Sequence, residues 1–206
     1  MIKSEVEDLA DQLTSFILNE ASNRVALFLV EENVKLTITK KRKTKLGDYR
    51  PPHGKIAYHR ISINGDLNSH MFLLVLIHEF AHLLVWKNYK RNVRPHGEEW
   101  KAVYKELYSQ YSDHFPENVR SIIEKHLVKL KATTCNDPYL TKHLMHMGSQ
   151  EEIQLLNELL PGDNFEVDGR VFQLLTKRRT RFLCQEMESK KNYLVSGSAV
   201  VNRLNK

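Results

Sequence analysis

Residues 71–85 read Met-Phe-Leu-Leu-Val-Leu-Ile-His-Glu-Phe-Ala-His-Leu-Leu-Val. From 67 to 89 there is no glycine or proline, and leucine is abundant, which predicts one long helix. A helix that is apolar on every side belongs in a core rather than on a surface. Yet His78, Glu79 and His82 sit in its middle, and burying such groups is costly unless something satisfies them. Their spacing suggests what does. Positions i and i+4 lie one turn apart, so both imidazoles reach the same side. Two ring nitrogens there can close on one Zn²⁺ at about 2.0–2.1 Å. Glu79, beside the first histidine, can then take a proton from a water at the ion. The competing reading is a pair of buried histidines hydrogen-bonded to their neighbours. A catalytic zinc ion needs a third protein ligand and an open fourth position. His96, within Arg94-Pro-His-Gly97, is the candidate, since a turn across 88–94 can return it over the long helix. Its alternative role is an exposed residue at the start of the next helix.

Working outward, Val6, Leu9, Leu13, Phe16 and Ile17 have helical spacing, and Ser4 with Glu7 fits a capping box. Val25–Val30 continues as a second helix. Residues 34–39 and 59–64 alternate apolar and polar and predict strands. The segment between them contains turn signals at Gly47-Asp48 and Arg50-Pro51-Pro52. Helical spacing resumes over Glu98–Tyr111, and Pro116 suits the first position of another helix reaching about Lys129. Residues 149–160 read as a further helix. From Phe165 onward the period is two, with short strands at 165–167, 170–175, 180–184 and 193–195. The expected class is α+β: helices on a small sheet over residues 1–132, and a β-rich region over 133–206. Phe165, Val167, Phe172, Leu174, Phe182 and Leu194 are its expected core.

The chain has 206 residues, with 8 Gly, 6 Pro, 2 Cys and 27% charged residues. These values exclude a disulfide-rich scaffold, a collagen-like chain and global disorder. The apolar runs 25–30 and 71–77 are too short to span a bilayer, so no membrane partner is expected. The acidic start MIKSEVEDLADQL lacks the apolar run of a signal peptide, and the expected compartment is the cytoplasm. Net charge is +6. Residues 35, 40, 41, 42, 43, 45, 50, 55 and 60 are all Lys or Arg, against a single acid, Asp48. Two clusters, Lys40, Lys41, Arg42 and Lys43 and then Lys177, Arg178, Arg179 and Arg181, have tyrosine or phenylalanine nearby. That combination suits single-stranded nucleic acid; a solvated surface or a charged strand edge is the other reading.

The motif His78-Glu79-Phe-Ala-His82, the run Arg94-Pro-His-Gly-Glu-Glu-Trp100 and the upstream segments Leu46-Gly-Asp-Tyr-Arg50 and His59-Arg-Ile-Ser-Ile-Asn64 together resemble the SprT family. Those are zinc metalloprotease-like domains that include the Spartan proteases of DNA–protein crosslink repair. The resemblance implies a minimal zincin fold with one Zn²⁺ on His78, His82 and His96, and Glu79 as the catalytic carboxylate. The implied partners are protein substrates, with single-stranded or damaged DNA as the platform that carries them. SprT proteins often carry a C-terminal zinc ribbon of paired cysteines. Here Cys135 and Cys184 stand alone, so the β tail reads as a ribbon without its metal. A second metal site on Cys135, His143 and His146 lacks a fourth ligand. The favoured function is a zinc-dependent endopeptidase. The alternative is a DNA-binding or regulatory scaffold of the same fold, and a third reading is a peptidase without a nucleic-acid role.

Overall fold

The computed structural model describes residues 2–42, 45–128, 144, 154–179 and 181–204. The chain divides into two compact units, Met1–Cys135 and Asn136–Lys206. The class is α+β. The first unit runs α1 (Ile2–Leu13), α2 (Asn19–Glu31), β1 (Val34–Thr39), β2 (Gly47–Arg50), β3 (His59–Asn64), α3 (Ser69–Tyr89), α4 (Glu98–Tyr111) and α5 (Glu117–Val128).

Helix α3 is the axis of this unit. Asn68 caps it, its side chain accepting the Met71 N–H at 2.9 Å, which satisfies one of the free donors of the first turn. At the other end Lys90 adopts φ +55° and its N–H closes on the Trp86 carbonyl. Its apolar side chains, among them Phe72, Leu73, Leu74, Leu76, Ile77 and Leu83, are fully buried, each contributing about 1.5–3 kcal/mol. By length and composition alone α3 could cross a membrane, but its apolar window is 67% buried within the protein. Phe80 stacks on Phe28 of α2 with centroids 4.0 Å apart, and Phe72 on Phe16 at 5.5 Å. The capping box predicted a start for α1 at Ser4; the helix begins at Ile2 and stops at Leu13. Phe16 and Ile17 lie in the turn after it, their N–H groups bonded to the Leu13 carbonyl.

The three-stranded sheet has the order β1-β3-β2. Strand β1 runs parallel to β3, with Val34 opposite His59 and Thr39 opposite Asn64. Strand β2 runs antiparallel to β3, with Gly47 opposite Ile63 and Arg50 opposite Arg60. The turn expected around Gly47-Asp48 is therefore this edge strand. Its partner is supplied by a segment that follows it in the chain, which a short charged stretch does not announce. His59, Ile61 and Ile63 are buried, while Arg60 and Ser62 lie on the opposite face.

The second unit is a six-stranded antiparallel sheet in the order β4-β9-β5-β6-β7-β8. The strands are β4 (Gln154–Leu155), β5 (Asn164–Val167), β6 (Arg170–Arg178), β7 (Arg181–Glu186), β8 (Asn192–Ser196) and β9 (Val200–Leu204). Phe165, Phe172, Leu174 and Phe182 form its core with Leu156, Leu159, Cys184 and Val201. Three expectations are corrected. The helix over 149–160 is, over its described part, a strand followed by a 3₁₀ turn (Leu156–Glu158). Leu194 is 51% exposed, because the alternation of β8 turns Tyr193 and Val195 to the core instead. Strand β9 was not expected, and it joins β4 to β5. Cys184 is a free, buried thiol; Cys135, His143 and His146 lie outside the described residues.

Candidate metal centre

His78 and His82 project from successive turns of α3. His96 arrives from the corner before α4, where its backbone holds φ +58°, a conformation uncommon for a side-chain-bearing residue. Gly97 N–H bonds the Arg94 carbonyl at 2.9 Å and so tightens this corner. A Cβ at Gly97 would stand only 3.0 Å from that same oxygen. The result is convergence: His78 Nε2 lies 3.2 Å from both His82 Nε2 and His96 Nε2. The three ligand atoms all lie within 4.8 Å of one another.

Hydrogen bonding alone accounts poorly for this trio. A neutral imidazole Nε2 carries either one proton or one lone pair, whereas the His78 nitrogen faces two others equally. Two metal–nitrogen bonds of about 2.05 Å at a tetrahedral angle place their nitrogens ~3.3 Å apart, close to the observed spacing. The donor set therefore fits a tetrahedral ion with one position left for another ligand. The three residues lie close enough to bind a metal.

The electrostatics agree. Burial, with the neighbouring rings of His82 and His96, holds His78 well below the ordinary histidine range. Burial and then His96 bring His82 down to about 4, and burial lowers His96. All three rings are thus neutral near pH 7, the form that binds a metal. Trp100 of α4, 1% exposed, backs the trio, its ring 4.7 Å from His78, 5.4 Å from His82 and 4.7 Å from His96. Tyr104 stacks beneath Trp100 at 4.8 Å.

Glu79, 6% exposed, points toward the sheet, beneath β2. The backbone N–H of Tyr49 faces its carboxylate and favours the charged form. As β2 is the edge strand among the described residues, no further strand competes for that N–H. Gly47 presses on the same group: a Cβ there would overlap the Glu79 carboxylate and stand 2.7 Å from Val75 Cγ1. Burial, then the charge of Asp48, pushes Glu79 up to about 8, against Arg42, Lys45 and the Tyr49 N–H.

Arg42 keeps β2 in place. Its guanidinium donates to Asn64 Oδ1 at 2.8 Å, Ser62 Oγ at 2.9 Å, Ser62 O at 3.1 Å and Leu46 O at 3.2 Å. The expected nucleic-acid residues thus meet different fates. Arg42 is engaged inside its own unit, where it finds four acceptors. Lys40 is exposed, and Lys41 is exposed with Asp66 at 3.9 Å. Lys43 lies outside the described residues. Lys177, Arg178, Arg179 and Arg181 are exposed at the tip of the β6–β7 hairpin, where Arg178 faces Arg181 and Lys177 lies 5.7 Å from the Phe182 ring. The contacts of Gly47, Tyr49 and Arg42 with the site were not anticipated. A glycine inside a short alternating run is the signal that could have marked Gly47 as a close backbone approach.

A buried core helix bearing two histidines, a third from the following corner and a carboxylate under an edge strand together define a metalloprotease-like domain. The sequence matches the SprT-like family over residues 8–124, and the chain belongs to that family. Comparison with curated proteins and comparison with solved structures each find no match.

Proposed function

We propose that this protein is a zinc-dependent endopeptidase whose ion is held by His78, His82 and His96. The convergence of three histidine rings, with His82 Nε2 and His96 Nε2 each 3.2 Å from His78 Nε2, carries the reading. Zn²⁺ bound there would polarise the scissile carbonyl and make water a better nucleophile. The neutral imidazoles offer lone pairs, and Trp100 keeps solvent from behind them. Glu79 takes the proton of the attacking water as general base and then delivers it to the leaving amine as general acid. Gly47 packs against the carboxylate and limits its movement while this happens. The open edge of β2 can align an extended substrate segment by strand addition. The substrates are proteins associated with DNA, a reading supported by family membership and by the exposed cations of the β6–β7 hairpin.

The test is cleavage of a DNA-binding protein by the zinc-loaded enzyme, with and without single-stranded DNA, beside Glu79→Gln. The variant should keep its zinc and lose about 10²–10⁴-fold in rate. Cleavage that ignores DNA would remove the nucleic-acid role. An unchanged rate in Glu79→Gln would overturn the mechanism, and no cleavage with zinc bound would leave a scaffold.

A further inference from the structure

The face of the sheet turned away from α3 carries a row of cations in register. Lys35 on β1 is opposite Arg60 on β3, and Arg60 is opposite Arg50 on β2. Like charges on facing strands destabilise a sheet, so three in one row call for an anion. Asp48 answers only one of them, meeting Arg50 at 2.8 Å. Among the described residues neither Lys35 nor Arg60 has an ion pair. Arg60 is further exceptional: its Nε is buried with no acceptor, and one terminal nitrogen reaches the Pro51 carbonyl only at 3.4 Å. These residues line a cleft of about 410 Å³ together with Thr37, Ser62, Tyr58 and Asp48, whose carboxylate is paired with Lys45 and Arg50. Lys35 Nζ lies 6.0 Å from the Tyr58 ring.

We propose that this cleft is a phosphate-binding site for a nucleotide unit. The guanidinium of Arg60 and the ammonium of Lys35 take the phosphate oxygens, a pairing for which a guanidinium fork is shaped. The hydroxyls of Thr37 and Ser62 can add hydrogen bonds, and the Tyr58 ring offers a stacking surface for a base. A carboxylate could meet the same cations but would leave the aromatic wall unused. The site lies on the opposite face of the sheet from Glu79 and the histidines, and the proposal does not rest on the peptidase reading, since its test reads binding alone.

The test uses the full chain and a fluorescently labelled twelve-nucleotide oligothymidylate followed by anisotropy between 50 and 200 mM salt. Inorganic phosphate, thymidine monophosphate and polyglutamate serve as competitors. Lys35→Gln, at an exposed position, keeps the test valid should Arg60→Gln fold poorly. Each substitution should weaken binding several-fold and reduce the slope of log affinity against log salt by about 0.7. Lys125→Gln, at an exposed position on α5 that does not line the cleft, removes the same charge and should weaken binding less. An oligonucleotide that binds much more tightly than the monophosphate identifies a strand as the occupant; equal affinities identify a free nucleotide, and both outcomes support the site. Affinity within twofold of wild type in Lys35→Gln and Arg60→Gln would overturn it. So would an effect of Lys125→Gln as large as theirs, or displacement by polyglutamate as effective as by phosphate compounds.

Discussion

Gly47→Ala is a one-methyl change with a defined target. The new Cβ would overlap the Glu79 carboxylate and come within 2.7 Å of Val75 Cγ1 and 2.9 Å of Glu79 Cγ. Gly47 does not need a left-handed backbone, so the effect is steric rather than conformational. Val75 and Glu79 are both on α3 and both buried. The neighbour with more freedom is β2, the edge strand, which must lift away from the helix. Overpacking of this kind costs about 1–3 kcal/mol, which corresponds to a fall in Tm of roughly 3–10 °C for a unit this size. The lift also takes the Tyr49 N–H from the carboxylate, so proteolytic kcat should fall at least ~10-fold. The three histidines are not touched, and zinc affinity by competition with a chromophoric chelator should stay within about twofold. Wild-type Tm and kcat in Gly47→Ala would refute the close approach of β2 to Glu79. A loss of zinc affinity matching the loss of rate would refute the separation of the carboxylate's support from the ligand set.

Two further outcomes follow from the same geometry. His78, His82 and His96 are held neutral in the fold, so the unfolded chain binds more protons below its histidine pKa of about 6.5. Stability of the metal-free protein should therefore fall as pH drops from about 6.5 toward 4, by up to ~1.4 kcal/mol per pH unit for each such histidine; urea melts in chelator at pH 7, 6 and 5 measure it, and a flat profile would refute the neutral trio. Arg42→Ala leaves Asn64 Oδ1, in a residue 1% exposed, with only the Thr39 hydroxyl at 3.3 Å among the described residues. It should lower stability by about 1–3 kcal/mol and reduce kcat through β2, whereas an unchanged kcat would show that β2 is held without it.

What could be read from the sequence follows physical lines. Helix α3 is legible because a stretch apolar on every side, without glycine or proline from 67 to 89, has few alternatives. His78 and His82 were legible because helical spacing alone puts them together. His96 needed the turn at 90–97, which the sequence marks with Pro95 and Gly97 but does not shape; its convergence appears only in three dimensions. Strand β2 was hidden because Gly47-Asp48-Tyr49-Arg50 is short, half-buried and flanked by charge, and its pairing with β3 is non-local. In β8 the stretch Tyr193-Leu-Val is apolar throughout, so no alternation reveals which side faces inward or separates Val195 from Leu194 as the core residue. Runs of consecutive cations are what suggests phosphate-type contacts in a sequence. The row of Lys35, Arg60 and Arg50 is assembled by strand register and is scattered along the chain.

Helix α3 is at once the centre of the core and the mount for His78, Glu79 and His82. The same turns that fill the interior aim the chemistry, so the two roles cannot be altered separately along this helix. Substitutions there trade one function against the other. Room for adjustment lies in what surrounds the helix: the edge strand resting on Glu79, and the corner that delivers His96. A change of substrate range or rate in a protein built this way would be written in those two short segments, with the helix left as the fixed reference against which they move.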